Sequence, residues 1–366
     1  MKTIAFIVTT LDSGGIENYL LRFLQFSTLK FRPIVICKSG RIGELEEKYR
    51  KISDIEIYPI AVGYVNLQSL FKVRKILKKN QVTAICDFTG NFSGNVLVLA
   101  WLISIPVRIA FYRGAAIRFK PTRIKLIYNS LMKALVSSFS TKILSNSVAA
   151  LDYFYPKRNR HSKKFRVIYN GVDSSKFMNK YTKQEVRECL NVPKHAFLVG
   201  HLGRNDISKN IKLIGEVAKT LCHKYEDIYF ILCGKGTKEF QEEFSAKLPS
   251  LSGRVIGLGY REDVDKVLQM YDVFIFPSII EGQPNALIEA MITGLPIIAS
   301  NITPIVETVP ENMKENLIHP DDIKGFVEQV EKCYINERYR DKLIHKEWAV
   351  RQFNPEVLFN EFLSEL

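Results

Sequence analysis

Hydrophobic and polar positions follow two alternating periods along the chain. Short, nearly continuous apolar runs such as "TIAFIV" and "VFIF" are typical of parallel strands that helices cover on both faces. Between them lie longer segments with helical spacing, such as "GGIENYLLRFLQF", in which one face carries Ile16, Leu20, Phe23 and Leu24. This alternation predicts an α/β fold built from βαβ units.

The βαβ series stops once and then restarts. It runs from the N-terminus to "FRVIYNG" and begins again at "FLVGHLG", after the segment "NGVDSSKF". Two such series predict two doubly wound, Rossmann-like domains, one over residues 1–173 and one over 174–345, followed by charged helical sequence over 346–366. Ligands of doubly wound sheets lie outside the carboxyl ends of the strands, so two facing domains are expected to form a cleft.

Composition changes this picture little. The chain has 366 residues and 46% hydrophobic residues, which fits a globular protein of about two or three domains. Its six cysteines are scattered, which argues against a disulfide framework or a zinc site and fits a reducing cytoplasm. The start "MKTIAFIVTTL" predicts a strand and not a signal peptide. The apolar stretch 96–112 is broken by Pro106 and Arg108, so it predicts a buried helix and a strand and not a membrane span.

The charge is concentrated in one half. Residues 1–173 hold 28 Lys and Arg against 10 Asp and Glu, and the remaining residues hold 24 against 28. No acidic residue occurs between Phe88 and Leu151. A half-chain this basic predicts an anionic partner, which could be a phosphate-bearing substrate, a membrane surface or a nucleic acid. No recognised nucleic-acid-reading motif is present, so we expect no nucleic acid.

Basic and apolar residues are mixed just before residue 127. This mixture suits the surface of an anionic bilayer, although a solvated basic helix is the alternative. The residues are Ile117, Arg118, Phe119, Lys120, Arg123, Ile124, Lys125 and Leu126.

The segment "EGQPNALIEAMITGLPIIAS" (281–300) carries the most specific chemistry. Pro284 suits the first position of a helix, and Gly294 suits its left-handed stop. Free backbone N–H groups at the helix start would bind an anion such as a diphosphate; we expect them at Asn285, Ala286 and Leu287.

Two glutamates flank that helix start. Glu289, one turn deeper, could accept hydrogen bonds from ribose hydroxyls, and Glu281 could reach hydroxyls of the group that the diphosphate carries. Alternatively, Glu281 only complements the helix dipole and Glu289 is solvated.

A second candidate is "GHLGRNDISKN". Arg204 leaves the carboxyl end of a predicted strand and Lys209 precedes a helix, so both cations could stabilise a departing diphosphate. Alternatively, they are surface residues that flank a loop. Asp206 and Ser208 are expected to cap the helix.

The remaining motifs are weaker. Gly14 and Gly15 follow the first strand and would permit close approach of a phosphate, or simply form a tight turn. "GKGTKEF" (234–240) could border a nucleotide base or be a plain turn. "DVD", at Asp263, resembles a metal-binding D-x-D, but helix capping explains it better, so we expect no metal. His201 is predicted to be a core residue.

Taken together, these segments resemble the retaining GT-B glycosyltransferases of family 4, in particular bacterial enzymes of capsule, exopolysaccharide or lipopolysaccharide synthesis. The resemblance covers nearly the whole chain: "GGIE", "NGVDSSKF", "GHLGRNDISKN" and "DVFIFPSIIEGQPNALIEAMITGLPIIAS". The last segment is the most specific, because it combines two glutamates eight positions apart with the following Gly-Leu-Pro.

The resemblance implies two Rossmann-like domains facing across a cleft, with the acceptor mainly in the first and the donor mainly in the second. It implies that 346–366 packs back on the first domain. Arg204 and Lys209 would hold the donor diphosphate, Glu289 the ribose and Glu281 the transferred sugar, with Gly15 near the phosphate. The substrate-binding set implied is Gly14, Gly15, Arg204, Lys209, Glu281, Gly282, Pro284, Asn285, Ala286, Leu287 and Glu289.

The chain departs from the family at one point. Many members carry histidine at the ends of first-domain strands, where this chain has Asp87, Phe88, Phe111 and Arg113. Asn91 and Arg113 are therefore candidates for contacts with acceptor or sugar.

The predicted function is retaining transfer of a hexosyl group from a nucleotide diphosphate sugar, with UDP favoured, to a glycan or a polyprenyl-diphosphate-linked glycan. No metal or other cofactor and no protein nucleophile is expected. The predicted location is the cytoplasm, at the inner face of the cell membrane. Two alternatives remain: a nucleotide-sugar epimerase on the same fold, and a non-catalytic basic binding protein.

Overall fold

The computed structural model describes residues 1–63, 66–114, 122–177, 181–189, 192–193 and 195–366. The chain divides into two units. The first comprises Met1–Asn170 and Glu356–Leu366, and the second comprises Gly171–Pro355. Ile117, Arg118, Phe119 and Lys120 of the predicted bilayer-binding segment lie outside the described residues.

The first unit is built around a sheet of seven strands. All its neighbouring strands run parallel, in the order β3-β2-β1-β4-β5-β6-β7. The strands are β1 (Thr3–Val8), β2 (Arg32–Cys37), β3 (Glu56–Pro59), β4 (Ala84–Asp87), β5 (Val107–Tyr112), β6 (Lys142–Ser145) and β7 (Phe165–Val167). The helices are α1 (Gly15–Phe26), α2 (Glu46–Arg50), α3 (Leu67–Lys79), α4 (Gly94–Leu102), α5 (Arg123–Phe139) and α6 (Val148–Phe154).

Apolar runs and helical stripes form this unit as the pattern predicts. Every residue of β1 is buried, because the sheet is covered on both faces. On α1, Leu20, Phe23 and Leu24 are buried, whereas Ile16 is only partly buried. The edge strand β3 has no counterpart in the apolar pattern, since its sequence "EIYP" mixes polar and apolar residues and it is largely half-buried.

The second unit contains a sheet of five parallel strands in the order β10-β9-β8-β11-β12. The strands are β8 (Phe197–Leu202), β9 (Ile228–Cys233), β10 (Val255–Gly259), β11 (Val273–Phe276) and β12 (Ile297–Ala299). The helices are α7 (Lys183–Cys189), α8 (Ile211–Lys224), α9 (Thr237–Lys247), α10 (Val264–Gln269), α11 (Asn285–Thr293), α12 (Thr303–Val306), α13 (Ile323–Ile335), α14 (Glu337–Asp341) and α15 (Lys346–Gln352).

A final helix, α16 (Pro355–Glu365), brings the chain back to the first unit. Its Phe362 ring lies 4.5 Å from that of Phe23 on α1, and its Phe359 ring lies 5.6 Å from that of Tyr19. Glu365 is buried and pairs with Lys142 and Arg166. The last eleven residues therefore belong to the core of the first unit, whereas α15 belongs to the second.

Two further expectations concern apolar segments and cysteines. The stretch 96–112 contains most of α4 and then β5, as predicted. Within the described residues, no helix combines the length and the apolar character that a membrane crossing requires. Five cysteines are buried and unpaired: Cys37, Cys86, Cys222, Cys233 and Cys333.

Candidate functional site

The strand order of the second unit's sheet reverses between β8 and β11. These strands are neighbours, but β8 connects onward to β9 on one side and β11 to β12 on the other. Loops at the carboxyl ends of two such strands diverge and leave a crevice where ligands of doubly wound sheets bind. Lys209 follows β8 and Glu281 follows β11, so both residues lie in loops at this point.

Lys209 and Glu281 form an ion pair between the Nζ and Oε1 atoms. Their side chains are only 17% and 9% exposed, so water screens the pair weakly. The ammonium also lies 5.2 Å from the centroid of the Phe276 ring, a cation–π distance. The two loops are joined by their backbones as well, because the N–H of Ile279 donates to the carbonyl of Ser208 over 2.8 Å.

The turn that carries Lys209 is shaped by its own side chains. Asp206 caps the 3₁₀ turn Ile207–Lys209 and accepts a hydrogen bond of 2.9 Å from the N–H of Ser208. The expectation that Asp206 and Ser208 cap the helix is wrong, because Asn210 precedes α8 and no side chain caps it. Burial by itself would raise the pKa of Asp206, but hydrogen bonds from Ser208 and the charges of Arg204 and Lys209 lower it below its ordinary value.

Arg204 is more loosely held than Lys209. Its side chain is 68% exposed, and Nη2 lies 3.6 Å from Oδ2 of Asp206. The two cations predicted to hold a diphosphate therefore differ in kind: Lys209 is fixed by Glu281, and Arg204 extends into solvent.

Glycines set the distance between neighbouring loops at this edge. Gly234 follows β9 with φ +145°, and a Cβ there would lie 2.1 Å from the carbonyl oxygen of Gly203. At Gly203, a Cβ would lie 3.2 Å from Cγ of Lys209. Larger residues would push the loops apart and displace Lys209.

The start of α11 differs from the expectation. Pro284 has φ −81° and ψ 90°, so it is the residue before the helix and not its first helical residue. The N–H of Leu287 donates to the carbonyl of Pro284 over 3.1 Å, and that of Ile288 donates over 3.2 Å to the same oxygen. The prediction of a free N–H at Leu287 is therefore wrong, because the first turn is tightened around Pro284. Gly294 ends the helix with φ 91°, as predicted.

The exposed side of α11 carries its polar residues. Asn285, Ala286 and Glu289 are half-buried, whereas the other residues of the helix are buried. Asn285 and Glu289 are four positions apart and share one face. Glu281 and Gly282, in the preceding loop, are also half-buried. Four residues that the sequence analysis proposed as substrate contacts, Glu281, Asn285, Ala286 and Glu289, are therefore half-buried rather than buried in the core.

The first-unit candidates lie at the carboxyl edge of the seven-stranded sheet. Gly14 precedes α1 with extended backbone, and Gly15 begins it. A Cβ at Gly15 would meet no atom within 4 Å, so the space beside it is open. Arg113 directly follows β5 and stacks on Tyr19, with 3.6 Å between Cζ and the ring centroid.

Asn91 is buried, and both polar atoms of its side chain are hydrogen-bonded within the protein. The side chain is 5% exposed, its Oδ1 accepts a bond of 2.7 Å from the hydroxyl of Tyr112, and its Nδ2 donates over 3.0 Å to Asn129. Contact with an acceptor would require Asn91 to give up one of these buried bonds.

Sequence analysis missed a second pair at this edge. Lys38, directly after β2, donates 2.6 Å to the carbonyl of Phe92 and 3.2 Å to Thr89, and its Nζ lies 3.6 Å from Oδ2 of the fully buried Asp87. Burial lowers the pKa of Lys38, and Asp87 opposes that shift. The available signal was a lysine and an aspartate that each end an apolar strand.

The aspartate of the weak "DVD" motif has a structural explanation. Asp263 precedes α10, but its side chain does not cap the helix; it forms two hydrogen bonds with Arg261, of 2.8 and 2.6 Å. Capping was therefore the wrong reason for this aspartate. In the described part of the chain, no group of three or more His, Cys, Asp or Glu is arranged to hold a metal ion.

Comparison with known families covers both units. The model of glycosyltransferase family 4 matches residues 13–176, and the model of glycosyl transferases group 1 matches residues 182–347. The chain therefore carries a glycosyltransferase family 4 domain followed by a glycosyl transferases group 1 domain. The enzyme is a glycosyltransferase, as the resemblance implied, and the alternative of a non-catalytic binding protein is wrong.

Relatives of this glycosyltransferase are bacterial enzymes. It is 27% identical over 270 residues to a UDP-Gal:alpha-D-GlcNAc-diphosphoundecaprenol alpha-1,3-galactosyltransferase of Escherichia coli, covering 72% of this chain and 69% of that one. It is 26% identical over 314 residues to the capsular polysaccharide biosynthesis glycosyltransferase CapH of Staphylococcus aureus, covering 82% of each chain.

A solved structure shares the fold of this glycosyltransferase. HepE of Anabaena, in complex with UDP, superposes with a TM-score of 0.82 at 19% identity, and the match covers 100% of both chains. The enzyme therefore has the GT-B fold, with two Rossmann-like units, and the predicted fold class is confirmed.

Proposed function

We propose that this enzyme transfers a hexosyl group from a nucleotide diphosphate sugar, a UDP-sugar, to a lipid-linked glycan in bacterial surface polysaccharide synthesis, with retention of anomeric configuration. The observation that chiefly supports this proposal is the half-buried Lys209–Glu281 ion pair, which lies after the neighbouring strands β8 and β11, where the strand order of the sheet reverses. A lysine fixed in a sheltered crevice is suited to stabilise charge that develops on a leaving diphosphate.

The proposed donor site follows from the residues around that pair. Lys209 and the exposed Arg204 contact the diphosphate, and the backbone N–H groups of Asn285 and Ala286 face its oxygens, next to Pro284, which has no N–H to donate. Leu287 is left out of this set because its N–H already bonds to Pro284.

Two glutamates and three glycines complete the proposed contacts. Glu289, on the accessible face of α11, accepts hydrogen bonds from the ribose, and Glu281 with Gly282 lies beside the sugar. In the first unit, Gly14 and Gly15 are proposed to bind substrate at the start of α1, where the space beside Gly15 is open.

The proposed chemistry needs no protein nucleophile. The bond between C1 of the sugar and the diphosphate oxygen breaks, and its electrons pass to the diphosphate. The acceptor hydroxyl attacks C1 on the same face, and its proton passes to the departing phosphate. Lys209 and Arg204 lower the energy of the transition state because negative charge grows next to them.

The names of relatives support the choice of substrates. The Escherichia coli relative uses UDP-Gal and an acceptor linked to diphosphoundecaprenol, and HepE binds UDP. A diphosphate-bearing acceptor also suits the basic first half of this chain, which holds 28 Lys and Arg against 10 Asp and Glu.

We further propose that the enzyme works at the inner face of the cell membrane and contacts it through α5. Ile124, Ile127 and Leu131 lie on one face of this helix and are 81%, 70% and 54% exposed. Arg123 and Lys125 flank this face, a pattern typical of helices that lie on anionic bilayers. Trp101 and Leu102, at the end of α4, are also exposed, and the Trp101 ring contacts Phe139 of α5 at 5.0 Å.

The donor-site proposal is tested by Lys209→Ala and Glu289→Ala. We expect Lys209→Ala to lower kcat/KM by about 100-fold or more, since a charge that stabilises the transition state is lost. Glu289→Ala should mainly raise the KM for the donor, because ribose is bound equally in the ground and transition states. Turnover is measured with a panel of UDP- and GDP-sugars and a diphosphate-linked acceptor.

Lys212→Ala is the matched control, because it removes an exposed lysine three positions from Lys209. Turnover like that of the unmodified enzyme in both site variants would reject the scheme. Conversion of the donor to an epimer without any acceptor would favour the epimerase instead.

A further inference from the structure

An arginine without an anionic partner lies at the carboxyl edge of the first unit's sheet. Arg113 directly follows β5, next to the strands β4 and β1 in the sheet order. Its guanidinium Cζ lies 3.6 Å from the centroid of the Tyr19 ring and 5.0 Å from that of Phe111. The two aromatic rings hold the flat guanidinium in one orientation.

The polar atoms of this contact are unsatisfied. Nη1 of Arg113 and the hydroxyl of Tyr19 are buried, and neither has a hydrogen-bond partner in the described part of the chain. No described carboxylate forms an ion pair with Arg113. A second cation, Arg22, lies on α1 three positions after Tyr19, on the same side of the helix, and its Nε donates over 3.3 Å to the carbonyl of Asn18. Burial chiefly lowers the pKa of Arg113 to about 10; the neighbouring Tyr19 hydroxyl opposes this shift and Arg22 adds to it, and the group is still charged at neutral pH.

A charged guanidinium with a buried, unpaired N–H group is unfavourable unless an anion compensates it; Arg113 is half-buried and its Nη1 is such a group. Native proteins pair nearly all such groups, so an exception needs an explanation. The planar fork of arginine matches the oxygens of a phosphate, and a second guanidinium close by suits a group with more than one negative charge. The unpaired N–H group and the neighbouring cation are thus features that a phosphate would compensate.

We propose that Arg113, with Arg22, binds the diphosphate of the lipid-linked acceptor, and that Tyr19 is a positioning residue for the guanidinium. This inference rests on the proposed function, because it assigns the acceptor's anionic group to one place in the first unit. The same chemistry could be met by a carboxylate on an acidic sugar, and the experiment separates the two sources.

The test compares acceptors that differ in one group. Three are used: a glycan on a prenyl diphosphate, the same glycan as a neutral alkyl glycoside, and an alkyl glycoside that carries a uronic acid. For Arg113→Gln we expect the KM of the diphosphate-linked acceptor to rise at least 30-fold, with less than a twofold change in the donor KM. Arg113→Lys should lose less, because it keeps the charge but not the fork.

The neutral glycoside is the internal control, because Arg113→Gln should use it as well as the unmodified enzyme does. Arg160→Gln is the matched variant, since it removes an exposed arginine from the same unit. An equal loss on the diphosphate-linked and neutral acceptors, a raised donor KM, or a loss seen only with the uronic acid would each overturn the proposal.

A binding experiment separates this proposal from the function itself. Farnesyl diphosphate is titrated into the full-length protein at saturating UDP, and Arg113→Gln should bind it at least tenfold more weakly. If Arg113→Gln binds farnesyl diphosphate more weakly but the unmodified protein transfers no sugar, the diphosphate site is supported and the proposed function is rejected. Unchanged binding would reject the site even if transfer is observed.

Stability gives a readout that a merely structural arginine would not give. Arg113→Met removes an uncompensated buried charge and keeps an apolar stem against Tyr19. We therefore expect the thermal midpoint of the ligand-free protein to rise while diphosphate binding is lost. A lower midpoint would mean that Arg113 serves the fold, and would contradict the proposal.

Discussion

His201 is a buried histidine whose pKa is lowered, and it lies close to the charged Lys209. It lies in β8 and is fully buried, with Nδ1 donating over 3.0 Å to the carbonyl of Ile275. Its ring stacks near those of Phe274 and Phe276, at 6.3 and 5.9 Å. Burial, with a smaller contribution from Lys209, lowers its pKa to about 4. Near neutral pH, His201 therefore adds no charge next to the Lys209–Glu281 pair.

This depressed pKa predicts an acid sensitivity of the fold. The unfolded chain protonates His201 near its ordinary pKa of 6.5 and the folded chain only near 4, so stability is fully present above pH 6.5 and falls as the pH drops towards 4. Between pH 7 and pH 5, the contribution of His201 to the free energy of unfolding should fall by about 2 kcal/mol.

The measurement is urea unfolding at pH 7 and pH 5. In His201→Asn, which keeps an N–H for the Ile275 carbonyl, the loss of stability between the two pH values should be smaller by that amount. His161→Asn is the control, because His161 is exposed. An equal pH effect in His201→Asn and the unmodified protein would contradict the assignment.

The helix α11 shows which features of a helix the local sequence determines and which depend on the preceding loop. The carboxyl end of α11 was predictable because its cap depends on neighbouring residues: Gly294 takes the left-handed conformation that favours glycine. The exact start was misjudged, since Pro284 stands outside the helix and accepts the N–H groups of Leu287 and Ile288. A tightened first turn depends on how the preceding loop enters, which a proline preference does not specify.

For α5, exposure of an apolar face leads to a membrane prediction. Replacing Ile124 and Ile127 together by Ser should weaken binding to vesicles of phosphatidylglycerol by at least tenfold, because two apolar side chains no longer enter the bilayer interface. Binding is measured by vesicle sedimentation at low salt, alongside vesicles of phosphatidylcholine alone. Catalysis on a water-soluble acceptor should be unchanged.

Leu67→Ser with Phe71→Ser is the matched pair, since these residues of α3 are 76% and 64% exposed in the same unit. Loss of binding in the α3 pair and not in the α5 pair would move the contact to α3. No preference for anionic vesicles in the unmodified protein would reject the membrane proposal.

The assembly of the first unit depends on the two ends of the chain. The core around Phe23 on α1 is completed by Phe359 and Phe362 of α16, which lie more than 330 positions along the chain. The buried Glu365 adds ion pairs with Lys142 and Arg166. We therefore expect Phe362→Ala to destabilise the first unit by about 3–5 kcal/mol, the cost typical of emptying a buried aromatic site.

The two tryptophans allow this to be measured unit by unit. Trp101 belongs to the first unit and Trp348 to the second. In a Trp348→Phe background, the fluorescence of Trp101 should report earlier unfolding of Phe362→Ala in urea. With Trp348 as the only tryptophan, the second unit should unfold as before. Val357→Ala, at an exposed position of α16, is the control; a similar loss there, or an unchanged first unit in Phe362→Ala, would contradict the prediction.

Sequence patterns that extend over a few residues were sufficient to predict most helices and strands and the class of fold. Apolar runs, helical stripes and a left-handed glycine act over a few residues, so Gly294 and the accessible face of Glu289 were predictable. The uneven charge likewise predicted an anionic partner, and the start of the helix after Pro284 predicted a diphosphate site, because both are properties of neighbouring residues.

Contacts between distant segments needed the folded chain. Lys209 and Glu281 are 72 positions apart and meet only because β8 and β11 are neighbours in the sheet. Arg113 becomes an unpaired buried cation only when β5 sets it over Tyr19, and Phe362 enters a core that α1 begins. Pairing and burial at such separations depend on strand order and packing, and these are properties of the whole fold that no local pattern encodes.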